Sequence, residues 1–277
     1  MDSLRNAMEA AIQEHWKGPA RPQAATGSPR VDAGSRIRDR GAHLRRGLRP
    51  AAGKLSPRSL PVPVETLARN RLVAALPENQ ERQAYCLLQA AVMQRLTHGG
   101  RVIGVTGPCH GSGKTLTTAN LAISLAVDAH RPTIVTDFNL HAPRIHELFD
   151  FVPETGVEDC LFNGVPISDA LVSLGIDLVA VLAAQGKCEN VDQVLRSCHL
   201  DALLGAIKAS YPDTTILIDL PSVATASDAQ AFEALVDGIL LVIEDGVTRE
   251  RDYRRVLACF SERKLIGTVL NRARSRT

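Results

Sequence analysis

The sequence predicts an α/β domain built on a mostly parallel β-sheet that is flanked by helices on both faces. Short apolar runs rich in β-branched residues recur along the chain. Each run is apolar at consecutive positions, as expected for strands that are covered on both sides. Helical stretches separate these runs, and strands that alternate with helices produce a parallel sheet.

Six apolar runs are the predicted strands: RVIGVT at 101–106, PTIVTD at 132–137, DLVAVLA at 177–183, TTILIDL at 214–220, GILLVIE at 238–244 and LIGTVLN at 265–271. Four stretches are predicted helices: 114–129, 197–210, 228–236 and 248–262. Of the 277 residues, 45% are apolar but only 4% are aromatic. Aliphatic side chains and alanine must therefore build the core.

The N-terminal part of the chain differs in composition from the rest. Within residues 1–17, an amphipathic helix is predicted because apolar residues recur at helical spacing: Leu4, Ala7, Met8, Ala11, Ile12 and Trp16. It would pack on its own domain, or dock on a partner or membrane surface. Residues 18–60 hold five prolines, six glycines and a net charge of +8. That composition predicts a disordered basic linker. Its charge could attract anionic lipid or nucleic acid, but a solvated linker without such a partner is the favoured interpretation. Residues 61–277 form the predicted globular domain.

The six cysteines contain no C-x-x-C pair and no accompanying histidine cluster: Cys86, Cys109, Cys160, Cys188, Cys198 and Cys259. A structural metal site and a disulfide framework are therefore not expected. No apolar run approaches the ~20 residues that span a bilayer, and the N-terminus lacks a signal-peptide pattern. These features predict a cytoplasmic protein with reduced thiols.

A phosphate-binding motif follows the first predicted strand of the globular part. VIGVTGPCHGSGKTLTTANLAISLA, from Val102 to Ala126, reads as a strand, a glycine-rich turn and a helix. Such a turn lets backbone N–H groups converge on phosphate oxygens at the positive end of the helix dipole. The Lys114 ammonium is expected to reach the outer phosphates of ATP, and the Thr115 hydroxyl to coordinate Mg²⁺.

The predicted nucleotide-binding residues are Gly111, Ser112, Gly113, Lys114, Thr115 and Leu116. The motif departs from the usual spacing, because Pro108 stands where a glycine is expected and Gly107 lies one residue earlier. The flanking strand and helix nevertheless argue against a chance G-K-T in a loop.

Two aspartates end predicted strands, Asp219 after ILI and Asp137 after TIVT. Such an aspartate is often only a turn-former or helix cap. Ligands of parallel sheets bind at the carboxyl ends of the strands, and P-loop proteins place there the acid of the Mg²⁺ shell. The sequence therefore favours a functional role for both carboxylates.

A collinear series of motifs supports a family resemblance over about residues 66–272. The series comprises VTGPCHGSGKT at the phosphate loop, DFNLHAP at 137–143, HELFDFVPETGVEDCLFNG at 146–164, DLPSVATASDA at 219–229, VDGILLVIEDGVTRE and GTVLNRA. It resembles the cytoplasmic domain of bacterial tyrosine kinases of capsule and exopolysaccharide operons, in particular the exosortase-associated tyrosine autokinases. These are relatives of the division-site and chromosome-partition ATPases.

The resemblance implies a P-loop fold and an ATP-dependent tyrosine-kinase-like enzyme or ATPase that acts in polysaccharide biosynthesis or export. It implies ATP and Mg²⁺ as cofactors, with Lys114, Asp137 and Asp219 as catalytic residues. Asp137 would be an acid near the γ-phosphate, and Thr115 and Asp219 would hold the metal. Asn271 falls where relatives contact the adenine.

The implied partner is the cytoplasmic face of an inner-membrane chain-length or export protein, which would place the chain peripherally at that membrane. A homo-oligomer formed through the nucleotide face is also implied, and no specific nucleic acid.

Two departures bear on catalysis. Asn139 replaces the second acid of the family's D-x-D motif and cannot take a proton from a tyrosine hydroxyl. The family's tyrosine-rich tail is replaced by NRARSRT. The chain has three tyrosines. Tyr211 precedes the strand predicted at 214–220 and Tyr85 lies in a helix, so neither mimics a flexible tail, whereas Tyr253 is expected at the surface of its helix.

Two further departures concern assembly and subfamily. The family's ring-forming E-x-x-R-x-x-R helix corresponds to QAYCLLQ at 83–89, where Gln83, Cys86 and Gln89 replace its charges. Cys109 replaces the signature lysine of the partition ATPases. Three interpretations therefore stay open: a kinase-like ATPase with weakened catalysis, a non-kinase ATPase switch, and a binding module without turnover. Phosphotyrosine separates the first from the others, and ATP hydrolysis separates the second from the third.

Overall fold

The computed structural model of the chain describes residues 57–96, 101–186 and 198–273. The predicted N-terminal helix and the linker up to residue 56 lie outside the described residues, so their assignment stays a prediction. Among the described helices, none is long and apolar enough to cross a membrane.

An eight-stranded sheet forms the centre of the described part of the chain. Its strands are β1 (Arg58–Ser59), β2 (Val102–Thr106), β3 (Thr133–Asp137), β4 (Val172–Ser173), β5 (Val179–Leu182), β6 (Thr215–Asp219), β7 (Gly238–Glu244) and β8 (Leu265–Asn271). They lie in the order β1-β4-β5-β3-β6-β2-β7-β8. Neighbouring strands are parallel except β4 and β5, which are antiparallel. The mostly parallel sheet and its six predicted strands are confirmed.

The described helices are α1 (Val64–Arg69), α2 (Arg82–Arg95), α3 (Lys114–Val127), α4 (Ile145–Leu148), α5 (Val157–Phe162), α6 (Ile167–Ala170), α7 (Cys198–Ser210), α8 (Ala226–Leu235) and α9 (Glu250–Leu257), with a 3₁₀ turn at Val73–Ala75. The four predicted helices correspond to α3, α7, α8 and α9. The helix predicted to begin at residue 248 begins at Glu250, because Arg249 is extended and the Thr248 hydroxyl accepts a hydrogen bond from Glu244 N.

The sheet is covered on both faces. Val135, Leu217 and Val242 pack into one hydrophobic cluster together with apolar residues of α3. This helix is buried at most of its positions, including the polar residues Thr118 and Ser124. The alternate residues Ile134 and Leu241 lie outside that cluster and are equally buried. Successive side chains of a strand point to opposite faces, so apolar side chains fill the core on both sides of the sheet.

The edge of the sheet includes residues that were assigned to the predicted linker. β1 pairs in parallel with β4, and Leu60 N donates to Ser173 O at 2.7 Å. Residues 57–60 therefore belong to the folded domain. Neither β1 nor β4 was predicted, since a strand of two residues is too short to show a pattern in hydrophobicity.

The expectation that Tyr253 lies at the surface is wrong. Its side chain is 3% exposed, and its hydroxyl lies 3.3 Å from Thr268 Oγ1 on β8. Tyr253 and Val256 lie three residues apart on the buried side of α9, whereas the neighbouring arginines face solvent. The charged residues around Tyr253 lie on the opposite, solvent-exposed face of this amphipathic helix.

Candidate functional site

The phosphate loop at residues 107–113 connects the end of β2 to the start of α3, at the carboxyl edge of the sheet. Two glycines fix its path. A Cβ atom on Gly107 would lie 2.2 Å from Val242 O. Gly113 has a φ of +90°, and its Cβ would lie 2.0 Å from Asn271 Nδ2. The strand–loop–helix geometry is the one predicted from the sequence.

The Lys114 side chain starts α3 and turns back into the loop. It is 5% exposed, and its ammonium donates to Cys109 O at 2.8 Å and to Ser222 Oγ at 2.9 Å. Burial lowers its pKa, and the nearby Asp219 carboxylate opposes that shift. The ammonium is thus held inside the loop that would surround a phosphate group.

Thr115 and Asp219 are in direct contact. Thr115 Oγ1 donates to Asp219 Oδ2 at 2.6 Å, while Asp219 Oδ1 is buried and has no hydrogen-bond partner. Burial raises the pKa of Asp219 well above its ordinary value, and the Asp137 charge adds to the shift. A buried carboxylate oxygen without a donor costs free energy unless a cation or a proton satisfies it. This donor set fits Mg²⁺, which is usually bound through one or two carboxylates, phosphates and waters.

Asp137 lies opposite Asp219 in the β3–β6 register. Its Oδ1 accepts from Asn139 N at 3.1 Å, and its Oδ2 accepts from Arg144 N at 2.9 Å and Ile145 N at 3.0 Å. These bonds fold the loop after β3 around the carboxylate, as an aspartate at a turn often does. Its role as an acid near the γ-phosphate stays a prediction.

The Asp137 carboxylate should make the stability of the ligand-free protein depend on pH. Burial raises its pKa from 3.8 to about 6, although the three backbone donors lower it. A raised acid pKa means that a stabilising contribution present below pH 4 is lost as pH rises through 6. Relative to Asp137→Asn, the parent should therefore lose about 2 kcal/mol of unfolding free energy between pH 4 and 7.

Urea denaturation of both proteins at pH 4, 5.5 and 7 measures this difference. If the difference in unfolding free energy between the two proteins is the same at all three pH values, Asp137 does not titrate in that range. The hydrogen bonds that asparagine cannot replace should only add an offset that does not change with pH.

Asn139 is also buried at this edge. Its Nδ2 donates to Ala142 O at 3.1 Å, while its Oδ1 is buried without a hydrogen-bond partner. The side chain thus supplies a neutral hydrogen-bond acceptor at this edge of the sheet.

Asn271 joins the loop from the end of β8. Its Nδ2 donates to Ser112 O at 2.9 Å, and its Oδ1 accepts from Arg272 N at 2.9 Å. The amide is therefore engaged with the phosphate loop and the adjacent backbone, and contact with the adenine stays a prediction. Of the other predicted residues, Gly111 is exposed and Leu116 is half-buried in the first turn of α3.

One site residue was missed from the sequence. Ser222 lies three residues after Asp219 and accepts from the Lys114 ammonium. A signal was present in the sequence: DLPS, at 219–222, has serine where the pattern of the tyrosine kinases that the chain resembles, D-x-P-P, has its second proline.

Comparisons with known proteins agree with this architecture. No protein-family model matches the chain. The putative tyrosine-protein kinase CapB of Staphylococcus aureus is 24% identical over 170 residues, which cover 61% of this chain and 73% of CapB. The succinoglycan biosynthesis transport protein ExoP of Rhizobium meliloti (strain 1021) is 28% identical over 212 residues, which cover 73% of this chain but 26% of ExoP.

Solved structures show the same fold. The VpsO kinase domain matches with a TM-score of 0.62 at 27% identity, over 76% of this chain and 98% of that domain. The cell division ATPase MinD of Pyrococcus furiosus matches with a TM-score of 0.50 at 27% identity, over 62% of this chain and 72% of MinD.

Proposed function

We propose that this chain, a relative of the bacterial tyrosine-protein kinases of capsule and exopolysaccharide biosynthesis, binds ATP with Mg²⁺ and acts in polysaccharide production or export with weakened transfer to tyrosine. The observation that carries the proposal is the contact between Thr115 and Asp219 beside the loop that encloses Lys114. These three residues are what nucleotide binding in a P-loop requires.

In the proposed complex, Lys114 binds the outer phosphates and the backbone N–H groups of residues 111–116 surround them. Thr115 and Asp219 hold Mg²⁺, which would neutralise charge on the β- and γ-phosphates. Asp137 keeps the neighbouring loop in place through its three backbone hydrogen bonds. The positive end of the 14-residue helix α3 adds to the attraction for phosphate.

Transfer to tyrosine lacks both a base and an acceptor among the described residues. Asn139 carries no charge, and the buried Asp137 carboxylate is occupied by backbone donors. Tyr211 and Tyr253 are 4% and 3% exposed, and Tyr85 is half-buried. The weakened-kinase interpretation rests on these two absences.

Incubation of the full chain with labelled ATP and Mg²⁺ tests the proposal, with bound nucleotide, phosphoprotein and free phosphate measured on the same preparation. Bound nucleotide with little phosphotyrosine supports it, and strong phosphotyrosine would replace it with an active kinase. Lys114→Ala provides the control for background hydrolysis by contaminating enzymes.

A second candidate function is an ATPase switch whose nucleotide state controls docking to a partner. It is favoured by the neutral acceptor at Asn139 and by the fold shared with MinD. Steady release of free phosphate without phosphoprotein would select the switch. Binding without any release would select a module that does not turn over.

For the partner, we propose the cytoplasmic face of an inner-membrane protein that controls polysaccharide chain length or export. The name of ExoP, a biosynthesis transport protein, supports this assignment. The chain would then act in the cytoplasm, peripherally at the inner membrane. Self-association would use the nucleotide face at the carboxyl edge of the sheet.

The helix α2 should not assemble the family's ring. Cys86 Sγ lies 3.2 Å from Asp128 Oδ2, and Arg82 pairs with the same carboxylate, so both side chains are directed towards α3. Gln83 is exposed but uncharged, and charge-assisted pairs between subunits cannot form there. We expect light scattering to detect no large ring, with or without ATP–Mg²⁺.

Leu87 allows a surface control, since it is 66% exposed on the outer side of α2. A large ring that Leu87→Asp dissolves would show that α2 does form the interface and would contradict the prediction. A large assembly that survives Leu87→Asp would point to another surface.

A further inference from the structure

We infer that Ser222 binds the terminal phosphate of the nucleotide and makes the site prefer ATP over ADP. The inference rests on the proposed nucleotide binding and adds a residue that distinguishes the two nucleotides. The chemistry it would recognise is the γ-phosphate, through a hydrogen bond from a serine hydroxyl.

The position of Ser222 follows from its contact with Lys114. The Ser222 Oγ lies 2.9 Å from Lys114 Nζ, and the ammonium also donates to Cys109 O at 2.8 Å. A P-loop lysine binds the β- and γ-phosphates. A phosphate oxygen that replaces one of these acceptors on the ammonium would therefore lie next to the serine hydroxyl.

The loop that carries Ser222 is held on both sides. Before it, Leu220 N donates to Val105 O at 3.0 Å, and Pro221 O accepts from Thr106 Oγ1 at 2.6 Å. After it, Val223 N donates to Gly107 O at 3.0 Å. These bonds tie the backbone of this loop to β2 and to the start of the phosphate loop. Ser222 is half-buried and so remains within reach of a ligand.

The hydroxyl can change its role when phosphate binds. A serine hydroxyl has one donor and two acceptor positions, and its hydrogen rotates freely. In the structure it accepts from the ammonium. Beside a phosphate oxygen it can instead donate, while the ammonium moves onto the phosphates. A hydrogen bond to a charged acceptor is about twice as strong as a neutral one.

Ser222 also marks a departure of this chain from its family's pattern. DLPS replaces D-x-P-P, so the hydroxyl stands where a proline would have neither a donor nor a backbone N–H. The contact is thus a property of this sequence. Through Ser222, the loop before α8 would contact the γ-phosphate directly whenever ATP is bound.

Calorimetry on the full chain tests the inference with two ligands, ADP–Mg²⁺ and a non-hydrolysable ATP analogue with Mg²⁺. Ser222→Ala should weaken binding of the ATP analogue by ~10-fold and change ADP binding by less than about two-fold, since only the analogue fills the γ-position. Ser222→Thr keeps the hydroxyl and should retain most of the preference for the ATP analogue.

Thr225→Ala is the matched control in the same loop. It removes the hydroxyl that caps α8 at 3.2 Å from Asp228 N and leaves the contact with Lys114 intact. It should weaken the two ligands equally, if at all. A Ser222→Ala variant that binds both ligands as the parent does, or loses both to the same degree, would overturn the inference. If the parent itself binds neither ligand, the proposed function fails along with it.

Discussion

Replacing Lys114 by alanine is expected to abolish measurable binding of ATP–Mg²⁺. The ammonium is buried inside the loop and uses two of its donors on Cys109 O and Ser222 Oγ. Loss of one charge-assisted phosphate contact typically costs ~1.5–3 kcal/mol, and this ammonium would contact two phosphates. Calorimetry with ATP–Mg²⁺ measures the loss, and a variant that binds as tightly as the parent would refute the assigned site.

Two controls accompany this experiment, one for the removal of a lysine as such and one for the loss of the fold. Lys208→Ala removes an exposed lysine on α7 and should leave ATP binding unchanged. In the absence of the Lys114 charge, the pKa of Asp219 should rise further, because that charge opposes the effects of burial and of Asp137. Asp219 can then be neutral, so Lys114→Ala should keep a cooperative unfolding transition.

The parts of the fold that the sequence predicted share a physical reason. The six central strands are apolar at consecutive positions because helices cover both faces of the sheet. The phosphate loop was predictable because its glycines, lysine and threonine follow a strand and precede a helix. The placement of Asp219 beside Thr115 followed from the rule that ligands lie at the carboxyl ends of parallel strands.

What sequence reasoning missed depended on contacts between distant parts of the chain. β1 and β4 have two residues each and exist through their pairing at the sheet edge. Tyr253 was misplaced because its charged neighbours describe the other face of α9. The contact between Asn271 and Ser112 joins residues 159 positions apart, and nothing in the local sequence indicates it.

Asp137 illustrates the limit of a motif. The sequence marks it as an acid at the end of a strand, and such acids serve equally as ligands and as turn-formers. Only the structure shows that its carboxylate accepts three backbone hydrogen bonds from the loop that follows β3. Two residues later, Asn139 places a neutral side chain with a buried, unpartnered acceptor oxygen at the same edge of the sheet.

Tyrosine autophosphorylation by the parent is expected to be weak or absent, and Asn139→Asp should raise phosphorylation of a tyrosine peptide added in trans. General-base assistance is typically worth ~10²–10⁴ in rate. The new carboxylate would belong to the residue whose backbone N–H donates to the buried Asp137 carboxylate. Like charges nearby would raise its pKa towards neutrality, which suits a base. Labelled ATP, Mg²⁺ and a tyrosine peptide measure the rate, with Asn139→Ala as the control that adds no charge.

The same Asn139→Asp variant should still fail to phosphorylate itself, because an added base does not supply an acceptor. Tyr211 and Tyr253 are buried in the core, and burial raises the pKa of the half-buried Tyr85 hydroxyl. None of these tyrosines belongs to a tail that could reach the γ-phosphate of a second subunit. Mass spectrometry of parent and variant after incubation with ATP–Mg²⁺ tests each tyrosine separately. A strong phosphotyrosine signal in the parent at any of the three would mean that base and acceptor are both present, and a fully active kinase should then replace the weakened one.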